Sequence, residues 1–220
     1  MELLIQWLSS NWITIVVVIL IFSAFFTLWR RRRKKARGHI YFVADCHFDH
    51  ANIIRYCRRP FSNVRIMNRV LVNNWNNTVK PKDTVYFLGD WAFGRHSRPA
   101  KYWMRKLNGH KVSIKGGHDT GPRVSGVKLY KRKILNYGGD KFLLIHNPNQ
   151  RPRTWHGWVI HGHKHNNNMR RYPFINGRTK TINVGVELTN YRPISLDSLL
   201  SLNIDSIRRM ETINSKSERW

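Results

Sequence analysis

The chain has 220 residues, which is enough for one ordinary domain and a short additional segment. Apolar residues make up 41% of it, and this share excludes an intrinsically disordered chain. Lys and Arg total 39 against 12 Asp and Glu, and the net charge of +27 favours an anionic partner such as nucleic acid, an anionic lipid or a phosphorylated metabolite. The two cysteines, Cys46 and Cys57, are too few for a disulfide framework or a zinc site of the CxxC kind.

The first predicted element is the uncharged apolar stretch WITIVVVILIFSAFFTLW at residues 12–29. As a helix it would rise about 27 Å, close to the roughly 30 Å hydrocarbon core of a bilayer. The sequence therefore predicts a transmembrane anchor within residues 1–29 and a basic juxtamembrane linker, beginning RRRRKKAR, at residues 30–38. Because positive residues stay on the cytoplasmic side, we expect a single-pass membrane protein with its N-terminus outside and the remainder in the cytoplasm.

From residue 39 onward the pattern changes to short apolar runs that end in Gly, Asp or His. Because such runs are short and rich in β-branched and aromatic residues, they predict six buried strands at residues 39–44, 84–89, 111–116, 141–146, 157–162 and 181–186. Apolar residues three and four apart predict helices over Val64–Val79 and Pro99–Leu107. Strands that alternate with helices indicate an α/β domain, which we expect at residues 39–203, before a polar C-terminal tail at residues 204–220.

Asp and His residues stand at or just after the carboxyl ends of these strands. They are Asp45 and His47 after the first strand, Asp90 after the second, His118 and Asp119 after the third, His146 at the end of the fourth, and His163 and His165 after the fifth. Ligands of α/β sheets gather at this edge, so we expect these side chains to converge. Carboxylate oxygens combined with imidazole nitrogens suit Mn, Fe or Zn rather than Ca, and the pattern predicts a transition-metal site.

In order and spacing, these blocks resemble the five blocks of the calcineurin-like metallophosphoesterases. They read DCH at residues 45–47, GD at 89–90, GGHD at 116–119, His146, and GHKH at 162–165. The resemblance covers roughly residues 39–200 and is strongest to a small, single-domain bacterial and phage branch of the family. It implies a four-layer sandwich of two mixed sheets flanked by helices. It also implies two divalent transition-metal ions and hydrolysis of a phosphomonoester or phosphodiester by metal-activated water.

The resemblance also implies a role for each residue. One metal would be held by Asp45, His47 and His165, the second by His146 and His163, and Asp90 would bridge the two. His118 would act as the general acid on the leaving oxygen or contact the phosphoryl group, oriented by Asp119.

Outside the blocks, His50 and Asn52 could contact the substrate phosphate, and hydrogen bonding within their loop is an equally good interpretation. Arg58, Arg59 and Arg95 could bind a second phosphate, although a surface position is the better expectation.

The sequence departs from the family pattern at Gly117. The family block is usually GNHD, whose Asn is a ligand of the second metal, and glycine has no side chain to replace it. Three outcomes stay open: water takes the position, His161 or His50 substitutes, or the second ion binds weakly. With the basic composition, this departure supports an alternative function, a weakly active or inactive module of the same fold that binds a polyanion such as nucleic acid or anionic lipid. The substrate and the oligomeric state do not follow from the sequence.

Overall fold

The computed structural model of the chain describes residues 11–14, 16–27 and 38–219, which belong to two compact units, Met1–Gly38 and His39–Trp220. In the first unit, residues 11–14 and 16–27 are helical and expose most of their apolar side chains. The other residues of the predicted anchor lie outside the described residues, and so does the predicted basic linker at residues 30–38, except for its last residue.

The predicted transmembrane anchor is not borne out. No helix within the described ranges is both long and apolar enough to cross a membrane. The predicted single-pass topology, with the N-terminus outside and the remainder in the cytoplasm, is therefore wrong.

The second unit is built on two mixed β-sheets. Its strands in chain order are β1 (Ile40–Val43), β2 (Thr84–Phe87), β3 (His110–Ile114), β4 (Leu129–Tyr130), β5 (Arg132–Tyr137), β6 (Asp140–Ile145), β7 (Trp158–His161), β8 (Ile175–Asn176), β9 (Thr181–Asn183), β10 (Ile194–Ser195), β11 (Ile207–Met210) and β12 (Glu218–Arg219). The first sheet has five strands in the order β10-β1-β2-β3-β4, and the second has seven in the order β12-β11-β8-β9-β7-β6-β5.

Parallel strands form the centre of both sheets. In the first, β1 to β4 are parallel and β10 pairs antiparallel with β1. In the second, β6, β7 and β9 are parallel, while β5, β8, β11 and β12 join antiparallel. All six predicted strands form, and they are the central ones. Their carboxyl ends therefore lie at one edge of each sheet.

Helices cover one face of the first sheet. They are α1 (Ala51–Tyr56), α2 (Val64–Thr78) and α3 (Ala100–Lys106), and both predicted helices are among them. The helix α2 begins after Asn63, whose side-chain oxygen accepts the N–H of Ile66 at 3.0 Å. Its buried residues Met67, Leu71 and Trp75 recur every fourth position and pack against the sheet.

The main core lies between the sheets. Because successive residues on a strand point to opposite faces, Phe42 enters this core while Val43 packs beneath the helices. From the second sheet, Phe142, Leu144 and Ile160 face the same core. A further helix, α4 (Leu196–Ser201), contributes to it as well.

The outer face of the second sheet differs from the expected four-layer sandwich. Leu143, Ile145 and Val159 form a small buried cluster there, with Trp155 packed against it. Within residues 39–219, none of the four α-helices contributes a residue to this cluster. The two mixed sheets agree with the expectation, whereas the side chain packed against this cluster, Trp155, comes from the loop before β7.

The segment predicted as a polar tail at residues 204–220 is part of the second sheet. It forms β11 and β12, and Ile207 and Met210 are buried in the core between the sheets. Only two apolar residues of β11 face inward, and Arg208 and Arg209 separate them. The two residues are three positions apart, across a shift in the register of β11, so they do not show the alternation that marks a strand in a sequence.

Candidate metal centre

The loops after β1, β2, β6 and β7 meet at one edge of the two sheets. After β1, the N–H of Asp45 donates to the carbonyl of Gly89 and that of His47 to the carbonyl of Asp90, at 3.0 and 3.1 Å. After β7, the N–H of Gly162 donates to the carbonyl of His146 at 3.1 Å. The N–H of His163 crosses between the sheets and donates to Asp45 Oδ2 at 2.8 Å. These bonds bring residues that are far apart in the sequence into one cluster.

Most of the predicted metal ligands have a left-handed backbone. Their φ angles are 60° for Asp45, 49° for His47, 62° for Asp90, 69° for His163 and 47° for His165. Positive φ is uncommon outside glycine, although Asp and His adopt it more readily than most residues. Strained conformations of this kind cluster at functional sites, where the surrounding structure holds them in place. Here they turn the chain sharply at the end of β1, β2 and β7.

Two glycines allow these loops to approach closely. A Cβ atom at Gly116 would overlap the carboxylate of Asp90, and one at Gly162 would lie 2.7 Å from Asp45 Oδ2. Any larger residue at either position would displace an Asp of the cluster. The glycines of the GGHD and GHKH blocks are thus required by packing.

The structure brings six residues together, called here the metal centre: Asp45, His47, Asp90, His146, His163 and His165. Within it, two groups of three side chains offer ligand atoms that all lie within 4.8 Å of one another. The first group is Asp45, His47 and His165, as the resemblance implies. The second is Asp45, Asp90 and His146, and it does not include His163. The ring of His163 lies beside the second group, 5.0 Å from that of His146 between centroids.

The carboxylate of Asp90 stands between the two groups. Its Oδ2 atom lies 3.5 Å from His47 Nε2 and 3.4 Å from His146 Nε2. Its Oδ1 atom accepts the backbone N–H of His118 at 2.8 Å. One oxygen is therefore fixed by the protein, while the other faces an imidazole of each group. This is the position that a bridging carboxylate would take.

Several buried ligand atoms of the metal centre have no hydrogen-bond partner among the described residues. They are Asp45 Oδ1, both ring nitrogens of His47, and His146 Nε2. Leaving a buried polar atom unsatisfied costs roughly 1–3 kcal/mol, so such atoms rarely occur together without a reason. The Nδ1 atom of His146 lies 2.7 Å from the carbonyl oxygen of Leu88, which leaves Nε2 as the free nitrogen. These residues therefore fit divalent cations.

Burial and charge pairing shift the pKa values in the metal centre in opposite directions. Burial raises the pKa of Asp45 to about 6, although the charges of the neighbouring His165 and His146 act to lower it. Burial would also raise the pKa of Asp90, but the close contact with the His146 ring and the charges of His146 and His47 hold it below its usual value. For His146, burial would lower the pKa, but the close contact with Asp90 and the negative charges of Asp45 and Asp90 outweigh it and raise the pKa to about 9. Divergent shifts among adjacent buried groups are typical of functional sites.

His118 borders the metal centre on its solvent side. Its side chain is exposed, and its ring lies 5.4 Å from that of His47 between centroids. Asp119, expected to orient this ring, makes different contacts. Its buried carboxylate accepts the backbone N–H groups of Asp90, Trp91 and Gly116 at 2.9, 3.0 and 2.9 Å. Asp119 therefore holds the loop after β2 against the loop after β3.

The two predicted substrate-binding residues differ in position. The ring of His50 lies 5.5 Å from that of His47 and 4.8 Å from that of Phe93, so it borders the metal centre. Asn52 is exposed on α1, and within the described part of the chain it makes no side-chain hydrogen bond to the metal centre.

The position of the missing ligand is open space. Gly117 is exposed, and a Cβ atom added there would meet nothing within 4 Å. Neither His161 nor His50 belongs to a three-residue ligand group among the described residues. The Nδ1 atom of His161 lies 2.8 Å from the carbonyl of Gly162, and its ring is fully buried. The structure thus provides room at position 117 without a substitute ligand from these two histidines.

Two charged residues next to the metal centre were missed by the sequence analysis. Arg59, expected at the surface, is only 4% exposed, and its guanidinium pairs with Glu187 at 2.7 Å. Glu187 in turn lies 3.0 Å from His165 Nδ1. A signal for Glu187 was present, because it follows the sixth predicted strand as the metal-centre residues follow the others. No comparable pattern marks Arg59.

The chain is similar to several known proteins. No protein-family model matches the sequence. The chain is 48% identical over 177 residues to an uncharacterized protein of Methanocaldococcus jannaschii, over 80% of this chain and 96% of that one. A solved protein of unknown function from Aquifex aeolicus is 27% identical with a TM-score of 0.56, over 76% of this chain and all of that one. A phosphoesterase from E. coli is 12% identical with a TM-score of 0.39, over 66% and 77% of the two chains, which is too distant to support an argument.

The two mixed sheets and the convergence of the Asp and His side chains at one edge agree with the resemblance of the five sequence blocks to the calcineurin-like metallophosphoesterases. By sequence, the chain belongs to one family with the uncharacterized protein of Methanocaldococcus jannaschii.

Proposed function

We propose that the domain is a metal-dependent hydrolase of a phosphomonoester or phosphodiester. The observation that carries this proposal is the set of buried ligand atoms on Asp45, His47 and His146 that lack a protein partner. Asp90 Oδ2, at 3.5 and 3.4 Å from two of these imidazoles, supports a pair of cations that share one carboxylate. The donor set suits Mn, Fe or Zn.

The chain's own residues would bind the cations, orient the substrate and supply a proton. When bound, the cations would lower the pKa of a water molecule and stabilise charge on the phosphoryl oxygens. His118 is the exposed titratable side chain at the rim, and its ring would donate a proton to the leaving oxygen. Asp90 Oδ1 fixes the backbone of His118, and Phe93 packs against its ring at 4.2 Å between centroids. The same carboxylate would therefore place both the cations and the proton donor.

Gly117 would weaken the second cation site without removing it. Asp90 and His146 keep their positions in the second group, and His163 lies beside them. A missing neutral amide oxygen leaves the carboxylate and imidazole ligands in place, so two-metal catalysis at reduced cation affinity is the expected behaviour.

Hydrolysis by the purified full chain would test this proposal. With Mn²⁺ present, we expect release of p-nitrophenol from bis(p-nitrophenyl) phosphate or p-nitrophenyl phosphate, and we expect a chelator to abolish it. Asp140→Asn is a matched control for variants of Asp90, because Asp140 is exposed at the far end of β6. A folded protein that turned over neither compound at any metal concentration would reject the proposal.

The second candidate is a polyanion-binding module of the same fold. The net charge of +27 supports it, as do basic side chains beside the metal centre. Lys164 stands between His163 and His165, and the guanidinium of Arg123 lies 5.2 Å from the centre of the Phe93 ring. If phosphate contacts dominate, the affinity for duplex DNA or RNA should fall steeply as salt is raised. Tight, salt-dependent binding without hydrolysis would favour this candidate, and a flat salt dependence would exclude it.

A further inference from the structure

A buried ion pair lies directly behind the metal centre and belongs to neither ligand group. Arg59 donates from Nη2 and Nε to Glu187 Oε1 at 2.7 and 3.0 Å, and both side chains are at most 1% exposed. Arg59 also donates to the backbone carbonyls of Asp45 and Cys46, at 2.7 and 2.9 Å. Two charges buried this deeply are costly unless both are paired and hydrogen-bonded, as they are here.

The ion pair contacts a metal-centre residue through one atom. The Oε1 atom of Glu187 that accepts from Arg59 also lies 3.0 Å from His165 Nδ1. A carboxylate accepts hydrogen bonds, so Nδ1 carries the hydrogen in this arrangement. The lone pair of Nε2 is then left for a cation in the group with Asp45 and His47.

We infer that Glu187 is a positioning residue that fixes the ring orientation and the tautomer of His165 for the first cation, and that Arg59 holds Glu187 in place. The inference rests on the proposed metal-dependent function. Through these contacts the loop after β1, the loop after β7 and the segment after β9 are held together as one unit. Asp45 and His165, which come from different sheets, therefore keep a fixed separation.

A third cation between Cys57, His165 and Glu187 is the alternative for the same residues. Their ligand atoms also lie within 4.8 Å of one another. However, the Arg59 guanidinium donates two hydrogen bonds to Glu187 Oε1, and its positive charge against this carboxylate would repel a further cation. The contact between His165 Nδ1 and Glu187 is therefore better explained by orientation of the ligand.

The test is metal binding to the full-length chain by isothermal titration calorimetry with Mn²⁺, together with the absorption spectrum of the Co²⁺-loaded protein. The variant Glu187→Gln keeps the size of the side chain and removes its charge. The variant Glu187→Asp keeps the charge and withdraws the carboxylate from His165. Loss of a residue that orients a metal ligand typically lowers affinity about 10–100-fold. We expect a loss of that size at the first site in both variants, an altered Co²⁺ spectrum, and little change at the second site.

The matched control is Glu211→Gln, which breaks an Arg–Glu pair of 2.6 Å on the second sheet, outside the metal centre. It should leave both affinities unchanged. Thermal unfolding of each metal-free variant separates positioning from stability. Two results would overturn the inference and leave the proposed function standing. One is unchanged affinity for Mn²⁺ at both sites in the Glu187 variants. The other is an equal loss of affinity at both sites, in proportion to the loss of stability. If the wild-type chain bound no cation, both the inference and the proposed function would fail.

Discussion

At the scale of single residues, position 117 has space for the ligand that the family normally places there. A Cβ atom at Gly117 meets nothing within 4 Å, and its φ is not in the left-handed region. We therefore expect Gly117→Asn to fold normally and to bind the second metal more tightly, with faster phosphoester turnover. Mn²⁺ titration of the variant would measure this effect. Gly117→Ala is the control, because it adds a Cβ atom without a ligand. An unchanged titration for Gly117→Asn would mean that another group completes the site.

Asp90 is the residue whose loss should affect the whole metal centre. Its Oδ2 atom faces imidazoles of both groups and its Oδ1 atom holds the backbone of His118. Replacement by Asn removes the shared negative charge, so Asp90→Asn should lose two-metal binding and turnover together. Metal content after gel filtration checks this, with the exposed Asp140→Asn as the control. A variant that still retained two metals would disprove the bridging role.

Individual residues also explain why only part of the metal centre could be predicted from the sequence. Asp45, Asp90 and the histidines could be found because each follows a strand, and parallel strands place their carboxyl ends at one edge. The partnership of Arg59 with Glu187 joins residues 128 positions apart. Nothing local distinguishes Arg59 from its exposed neighbour Arg58, since only the tertiary partner makes its burial favourable.

At the scale of elements, the predictable strands are those with a continuous apolar run. β1, β2, β6 and β7 are central and buried, so their sequences contain consecutive β-branched and aromatic residues. The two-residue strands β8, β10 and β12 carry no such run, and their pairing depends on neighbouring strands. The helix layer on the second sheet was expected from the resemblance alone, and the sequence contains no helical pattern that would supply it.

The inclusion of the C-terminal segment in the second sheet can be tested by mutation of β11. Ile207 is completely buried in the core between the sheets. Truncation of a buried Ile to Ala typically costs about 2–5 kcal/mol, so Ile207→Ala should lower the free energy of unfolding by that amount. Urea denaturation measures it, with Ile134→Ala on β5 as the control because Ile134 is 56% exposed. If both variants lost equally little stability, β11 would not be part of the core.

At the scale of the whole molecule, cation binding should stabilise the fold. The unpartnered buried atoms of Asp45, His47 and His146 are destabilising until a cation satisfies them. A ligand at 100 times its Kd adds about 2.7 kcal/mol to the free energy of unfolding. We therefore expect the Tm of the chelator-treated chain to rise on addition of Mn²⁺, and to rise much less for Asp90→Asn. A wild-type Tm that did not respond to Mn²⁺ would contradict the fit of these residues to a cation.

Because the metal centre lies between the two sheets, cation binding should also slow unfolding. Each ligand group combines residues that follow strands of the five-stranded sheet with a histidine that follows a strand of the seven-stranded sheet. The two halves of the core could then separate only by breaking coordination bonds, so the dwell time of the ions would set the lifetime of the native state. Such cross-linking by metal should be most evident as resistance to proteolysis over hours, rather than as a change in equilibrium stability.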